Sequence, residues 1–196
     1  MKNFIIHKDR GIISNEFLKR NITDFNSACK YVSELPYKRN SDKKNIQCAF
    51  DDLGGTCSTK HAILRKLALE NDQQDVKLIL GIFKMDAAYT QKIRSTLEKF
   101  KLNYIPEAHN YLKIDDDILI LQNLIQIIYT LKLNYWLKEI EFNTIVEEKI
   151  LFHKDFLKQC ITDENISCNL DEIWNIKRAM HQKSSENWWG WDSEFF

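Results

Sequence analysis

The segment Asp51-Asp52-Leu53-Gly54-Gly55-Thr56-Cys57-Ser58-Thr59-Lys60-His61-Ala62-Ile63-Leu64 decides the fold of this chain. It begins with turn-forming residues and runs into a stretch whose wide apolar face continues to Asn71-Asp72. This pattern predicts a largely buried helix that begins near Cys57. Because Gly54 and Gly55 permit positive φ, we expect a tight glycine turn immediately before that helix.

Two apolar segments that follow the helix predict a small sheet. Residues 76–83 are short, apolar and rich in β-formers, as expected of a buried strand, and residues 108–114 alternate as a second strand does. Asp115-Asp116-Asp117 can form the turn of a hairpin that leads into a third strand at 118–121. A helix packed on antiparallel strands makes the expected fold class α+β.

The flanking segments predict further helices and one exposed loop. Thr23-Asp24 can cap a helix that runs to Val32, and the polar, basic stretch 36–47 is typical of a loop. The first 21 residues are weakly patterned, and we expect a variable entry segment there. Further helices are predicted at 90–100, 146–160 and 170–180, the last capped by Asn169 or Asp171. We expect one domain over 1–196, with its core at about 45–122 and a C-terminal helical part at about 145–183.

Composition excludes several classes of function. The chain has 196 residues, of which 44% are hydrophobic and 29% charged, close to the averages for globular domains. Lys+Arg and Asp+Glu both number 28, so bulk charge predicts neither a nucleic-acid partner nor an anionic membrane surface. The N-terminus lacks the apolar run of a signal peptide, and the most apolar stretch, 118–133, is interrupted by polar residues. We therefore expect a cytoplasmic protein without a membrane partner.

The cysteines predict reduced thiols, with one that differs from the others. Five cysteines with irregular spacing and no CxxC pair argue against a disulfide framework or a zinc ribbon. Cys57 lies at a predicted helix N-terminus, where free N–H groups and the helix dipole favour a thiolate and can hold an oxyanion. A thiolate nucleophile needs a base, and His109, early in the second predicted strand, can supply it.

These segments resemble a known superfamily. The stretch Gly54-Gly55-Thr56-Cys57, the strand at 76–83 and Glu107-Ala108-His109-Asn110-Tyr111-Leu112 are similar to the transglutaminase-like superfamily with its papain-type cysteine core. The resemblance covers about residues 45–122, and the flanks look similar to an uncharacterised bacterial branch. It implies that Cys57 is the nucleophile and His109 the base.

The resemblance also implies an Asp on the following strand to orient the histidine, and this chain departs from that pattern. Residues 118–123 contain no carboxylate, whereas Asp117 precedes them and Asn123 ends them. Antiparallel pairing brings the far end of the third strand back towards His109, which favours Asn123 over Asp117. A bulge would exchange Asn123 for Gln122.

The function expected from these residues is a cysteine-dependent acyl-group enzyme, either an amide hydrolase or an acyl transferase. Its substrate would be a peptide or a small amide that approaches the backbone at Gly54 and Gly55, with no cofactor and no metal. The alternative is a catalytically impaired binding or regulatory protein of the same fold, as the missing Asp and the aromatic tail 188–196 suggest. A weaker alternative is a metal site formed by Cys57, His61 and His109. The oligomeric state is left open.

Overall fold

A four-stranded antiparallel sheet with helices packed against it forms the frame of the protein, which the computed structural model describes at residues 2–88, 91–121 and 136–182. The strand order is β3-β2-β1-β4, and each neighbouring pair is antiparallel. The predicted α+β class is confirmed. The strands are β1 (Val76–Asp86), β2 (Tyr104–Ile114), β3 (Asp117–Leu119) and β4 (Leu137–Glu139).

Helices surround the sheet in the described part of the chain. The predicted helix ends agree with the structure to within a few residues, and Asp24 and Asn169 accept the expected capping bonds from Ser27 N–H and Glu172 N–H. Short 3₁₀ turns lie at Gln91–Ile93 and Phe142–Thr144. The helices are α1 (Ile12–Lys19), α2 (Phe25–Glu34), α3 (Cys48–Asp51), α4 (Cys57–Glu70), α5 (Arg94–Phe100), α6 (Ile145–Asp163) and α7 (Leu170–Gln182).

Helix α4 is the centre of the fold. It begins at Cys57, as predicted, and packs against both long strands and against α1, α2 and α3. The alternation of β1 explains this packing, because Leu78 and Leu80 face the core that contains α4, whereas Ile79 and Phe83 face a second apolar cluster with α5 and α7. Five α4 residues are fully buried in the main core: Ala62, Ile63, Leu64, Leu67 and Ala68.

The weakly patterned N-terminal segment contains a helix that was not predicted. Residues Ile12–Lys19 form α1, whose Ile13 and Phe17 are fully buried. The N-terminus of α1 is capped by a distant side chain, since the Glu70 carboxylate accepts hydrogen bonds from the N–H groups of Ile13 (3.2 Å) and Ser14 (2.7 Å). A cap that comes from another helix leaves no local signal at the sequence position where the helix begins.

Strand β2 begins earlier than predicted, so the expectation that His109 lies near a strand start is wrong. The strand runs from Tyr104, and His109 lies in its middle, opposite Gly81 of β1. Pro106 lies within this strand although it has no N–H to donate to a neighbouring strand. In the structure Pro106 pairs with Lys84 of β1 on one side, while β3 pairs only with residues 112–114 of β2.

Within the described ranges, no helix combines the length and the apolar character that crossing a bilayer requires.

Candidate active site

The turn before Cys57 differs from the predicted glycine turn. Neither Gly54 nor Gly55 has a positive φ, and the left-handed residue is Leu53, with φ of 49°. Leu53 follows the end of α3, where its N–H bonds to the Phe50 carbonyl and the Gly54 N–H bonds to the Ala49 carbonyl. The chain therefore reverses on Leu53, and the glycines are needed for a different reason.

The two glycines make room for the chain's own loop. Gly55 N–H donates to the Pro36 carbonyl at 3.0 Å, and Lys38 N–H donates to the Gly55 carbonyl at 3.3 Å. A Cβ atom on Gly54 would lie 2.8 Å from the Pro36 carbonyl oxygen, and one on Gly55 would lie 2.6 Å from Thr59 Oγ1. The close approach thus involves residues of this chain, and contact of the glycines with substrate remains a prediction.

Asn40 holds this turn in place from within the 36–47 loop. Its side chain is 9% exposed, and its Nδ2 donates to the carbonyls of Gly54 (2.8 Å) and Cys48 (3.2 Å) and to Asp52 Oδ2 (2.9 Å). Its Oδ1 accepts from Thr59 Oγ1 at 2.7 Å, and Thr59 Oγ1 in turn accepts from the Thr56 N–H. Asn40 therefore connects the end of α3 to the first turn of α4, on which Cys57 lies.

We expect Asn40→Ala to lower the free energy of unfolding by roughly 2–3 kcal/mol, because buried carbonyls lose their donor. Urea unfolding checks this value, with the exposed Asn26→Ala as the control. A loss below about 0.5 kcal/mol, the range of ordinary surface substitutions, would contradict the role assigned to Asn40.

Cys57 is hydrogen-bonded to His109, as the nucleophile–base hypothesis requires. Its thiol is buried, with the residue 4% exposed, and it borders a cleft of about 230 Å³. The sulfur accepts hydrogen bonds from the His109 side chain and from the Asn110 backbone N–H, and Lys149 Nζ lies 3.4 Å away. Burial by itself raises the pKa of Cys57, but Lys149, His109 and the Asn110 N–H together lower that pKa well below its ordinary value.

Lys149 is a site residue that the sequence analysis missed. Its ammonium donates to Ser58 Oγ (3.2 Å) and to Asn110 Oδ1 (3.4 Å), and Ser58 Oγ also donates to Asn110 Oδ1 at 2.8 Å. These bonds hold the ammonium against the Cys57 sulfur. The sequence does contain a pattern that indicates its position. Lys149 lies at helical spacing from Ile145 and Phe152, which pack in the main core, so it is on the inward face of α6.

His109 is enclosed by ring systems from two elements. The residue is 1% exposed, and its ring centroid lies 5.9 Å from that of His61 on α4 and 6.4 Å from that of Phe83 on β1, both edge-on. This packing restricts the imidazole to few orientations. His109 thus reaches the Cys57 sulfur from a rigid position in the middle of the sheet.

His61 is structural, which removes the basis for the metal alternative. It is fully buried, its Nδ1–H donates to the Cys57 carbonyl at 2.7 Å, and its Nε2 accepts from the Leu121 N–H at 3.2 Å. Both ring nitrogens are therefore engaged and cannot ligate a metal together with Cys57 and His109. Within the described ranges, no group of three His, Cys, Asp or Glu side chains has the arrangement of a metal site.

Of the three candidates for the residue that orients His109, only Asp117 lies in the part of the chain that the structure describes. Asn123 and Gln122 lie outside the described residues. Asp117 pairs with Ile114, five positions from His109 along β2, which is roughly 17 Å at about 3.3 Å per residue. The strand register therefore agrees with the choice against Asp117.

Asn123 remains a prediction. We expect Asn123→Ala to slow alkylation of Cys57 at neutral pH while leaving the fold intact, because the His109 ring would lose its orienting partner. Unchanged Cys57 alkylation in both Asn123→Ala and Gln122→Ala would show that neither residue has this role.

A second buried histidine supports the far wall of the cleft. His153 of α6 donates from Nε2 to the Pro106 carbonyl at 2.8 Å, and its Nδ1 lies 3.2 Å from Lys177 Nζ. Lys177 also forms an ion pair with the buried Glu107 at 3.5 Å. These contacts connect α6 and α7 to the part of β2 that precedes His109.

Because His61 and His153 are buried, we expect the free energy of unfolding to fall in acid. Burial is the main cause that lowers the pKa of His61 to about 3 and that of His153 to about 4, whereas both titrate near 6.5 in an unfolded chain. Between these values the unfolded state binds more protons, so stability is full above about pH 6.5 and falls as the pH drops towards 4. Each histidine contributes a slope of about 1 kcal/mol per pH unit.

Urea unfolding at several pH values checks this, and His153→Gln should reduce the slope below pH 6.5. A slope that is the same in His153→Gln as in the unmodified protein would contradict the assignment for His153.

No protein-family model, no curated protein and no solved structure matches this chain.

Proposed function

We propose that this protein is a cysteine-dependent acyl-group enzyme of transglutaminase-like type, which acts on an amide as a hydrolase or an acyl transferase. The observation that carries the proposal is the contact of the Cys57 sulfur with the His109 side chain and with the Lys149 ammonium, at the first residue of α4 and on a cleft. A thiol that only fills space in a core does not need a histidine and an ammonium beside it. Cys29 of the same protein is such a thiol, and burial raises its pKa to about 12.

In the first half-reaction, the Cys57 thiolate attacks the carbonyl carbon of the substrate, and the C–S bond forms as the carbonyl electrons move onto oxygen. In this proposal the Cys57 N–H at the start of α4 and the positive end of the helix stabilise the oxyanion. His109, which holds the thiol proton, passes it to the leaving amine as the C–N bond breaks. A thioester on Cys57 and a free amine result.

In the second half-reaction, water or an amine attacks the thioester carbonyl. His109 removes a proton from the attacking group, and the C–S bond breaks to return the Cys57 thiolate. Water yields an acid and makes the enzyme a hydrolase, whereas an amine yields a new amide and makes it a transferase. Lys149 contributes to both halves, because its charge stabilises the thiolate as attacking and as leaving group.

Trapping of the acyl-enzyme tests the proposal. The protein is incubated with an activated ester, 4-nitrophenyl acetate, quenched in acid, and the acetylated residue is identified by mass spectrometry of peptides. We expect acetyl on Cys57, loss of that label in Cys57→Ser, and unchanged labelling in Cys48→Ser, since Cys48 is a buried thiol whose pKa is raised to about 11, mainly by burial. If Cys57 carries no acetyl while another thiol does, the proposal is wrong, and a binding or regulatory role is favoured.

A further inference from the structure

The cleft beside Cys57 has a strong excess of positive charge, although the whole chain is neutral. Five cationic side chains border it, against one carboxylate, that of Glu107. They come from two separate parts of the chain, the loop that follows α2 and the helices α6 and α7, so the excess does not arise from a single run of sequence. The five are Arg39, Lys43, Lys149, Lys177 and Arg178.

The protein itself neutralises only part of this charge. Glu107 forms an ion pair with Lys177, and the Cys57 thiolate is balanced by Lys149. Among the residues that the structure describes, no carboxylate forms an ion pair with Arg39, Lys43 or Arg178.

These cations are also close enough to oppose one another. Partial desolvation, followed by repulsion from Lys149 and Arg39, lowers the pKa of Lys43. Burial lowers the pKa of Lys177, and repulsion from Lys149 lowers it further, while the charge of Glu107 opposes this shift. Because like charges crowded around a cleft destabilise the empty site, an arrangement of this kind favours an anion that relieves the repulsion.

We propose that the acyl substrate of this site carries an oxyanion group, a carboxylate or a phosphate, which Arg39, Lys43 and Arg178 bind at the mouth of the cleft beside Cys57. This inference rests on the proposed function, because it describes the substrate of that same nucleophile. The planar guanidinium of an arginine binds either group through paired N–H···O bonds, and an ammonium adds a further charge-assisted bond. A cleft of about 230 Å³ is smaller than most sites for drug-sized ligands, so it fits the anionic group and the acyl carbonyl of a small molecule or chain end.

Two alkylating reagents of nearly equal size, which differ in charge, test this proposal. Iodoacetate is an anion and iodoacetamide is neutral, so the ratio of their rates at Cys57 reports the charge preference of the cleft and cancels the intrinsic reactivity of the thiol. We expect this ratio to exceed the ratio for the neutral small thiol 2-mercaptoethanol by at least about three-fold at low salt, as one unit charge a few ångströms away predicts in water.

Matched charge variants identify the residues responsible. Arg39→Gln/Arg178→Gln should lower the ratio at least about two-fold, whereas Lys30→Gln/Arg94→Gln, which removes the same charge from exposed positions outside the cleft, should leave it unchanged. In the unmodified protein, raising the ionic strength from about 0.01 M to about 1 M should bring the ratio towards the reference value, because the screening length falls from about 30 Å to about 3 Å.

Protection experiments distinguish the two anionic groups. Inorganic phosphate and malonate are each added before iodoacetamide, and the stronger protector of Cys57 identifies the group that the cleft prefers. A rate ratio at Cys57 no higher than that of 2-mercaptoethanol at low salt would overturn the proposal. That result is separate from failure of the proposed function, which would be seen as slow reaction of Cys57 with both reagents.

Discussion

Lys149→Met is expected to slow the alkylation of Cys57 by iodoacetamide at about pH 6 by roughly 10- to 100-fold. The Lys149 ammonium lies 3.4 Å from the Cys57 sulfur and is the largest influence that lowers the pKa of this buried thiol. Two unit charges at this distance interact by up to about 5 kcal/mol at an effective dielectric constant of about 20. Solvent screening reduces this interaction, but without the ammonium the pKa of Cys57 rises and the thiolate fraction at about pH 6 falls, and the rate falls with it.

Lys158→Met is the matched control, because Lys158 lies on the same helix α6 but is exposed and pairs with Asp155. It should react as the unmodified protein does. At a pH above the raised pKa, Lys149→Met should recover most of its rate, because the thiolate then forms without the ammonium. Equal rates for Lys149→Met and the unmodified protein at about pH 6 would show that Lys149 does not stabilise the thiolate.

His109→Gln is expected to reduce acylation of Cys57 by 4-nitrophenyl acetate by about 10²- to 10⁴-fold, the usual contribution of a positioned general base. The His109 imidazole is hydrogen-bonded to the Cys57 sulfur, and an imidazole nitrogen can accept the thiol proton. Glutamine keeps a hydrogen-bonding group of similar length but cannot accept that proton. The burst of 4-nitrophenol measured in a stopped-flow instrument gives the acylation rate.

His61→Gln provides a control for structural damage, because His61 packs edge-on against His109 but bonds only to backbone groups, those of Cys57 and Leu121. We expect it to lower stability, as seen in urea unfolding, and to slow acylation far less than His109→Gln does. If His109→Gln is folded by circular dichroism and acylates within about three-fold of the unmodified protein, His109 is not the base.

The sequence predicted the parts of the site that depend on local pattern. The start of α4 at Cys57 followed from turn residues that lead into an apolar face, and β1 followed from a short β-rich run. Both signals lie within a window of a few residues. His109 could be chosen as the candidate partner of Cys57 by its residue type and chain order, although its predicted place near the start of a strand was wrong.

The parts that the sequence did not predict depend on distant contacts. Lys149 is 92 residues from Cys57 and reaches the sulfur only because α6 packs on the sheet. The start of α1 depends on the Glu70 carboxylate, and the reversal before α4 uses Leu53 in a left-handed conformation that glycine was expected to adopt. For Lys149 and for α1 a tertiary contact decides the conformation, whereas the Leu53 reversal is held by bonds to the preceding helix α3.

The pH dependence of iodoacetamide alkylation at Cys57, followed residue by residue with mass spectrometry, tests the central claim most directly. The claim is that His109 and Lys149 keep this buried sulfur as a thiolate near neutral pH. We predict a titration midpoint well below the value of about 8.5 that is usual for a free cysteine, and a rate at about pH 6 that exceeds that of the partly exposed Cys168. A midpoint at or above about 8.5, with Cys57 no faster than Cys168, would contradict the claim.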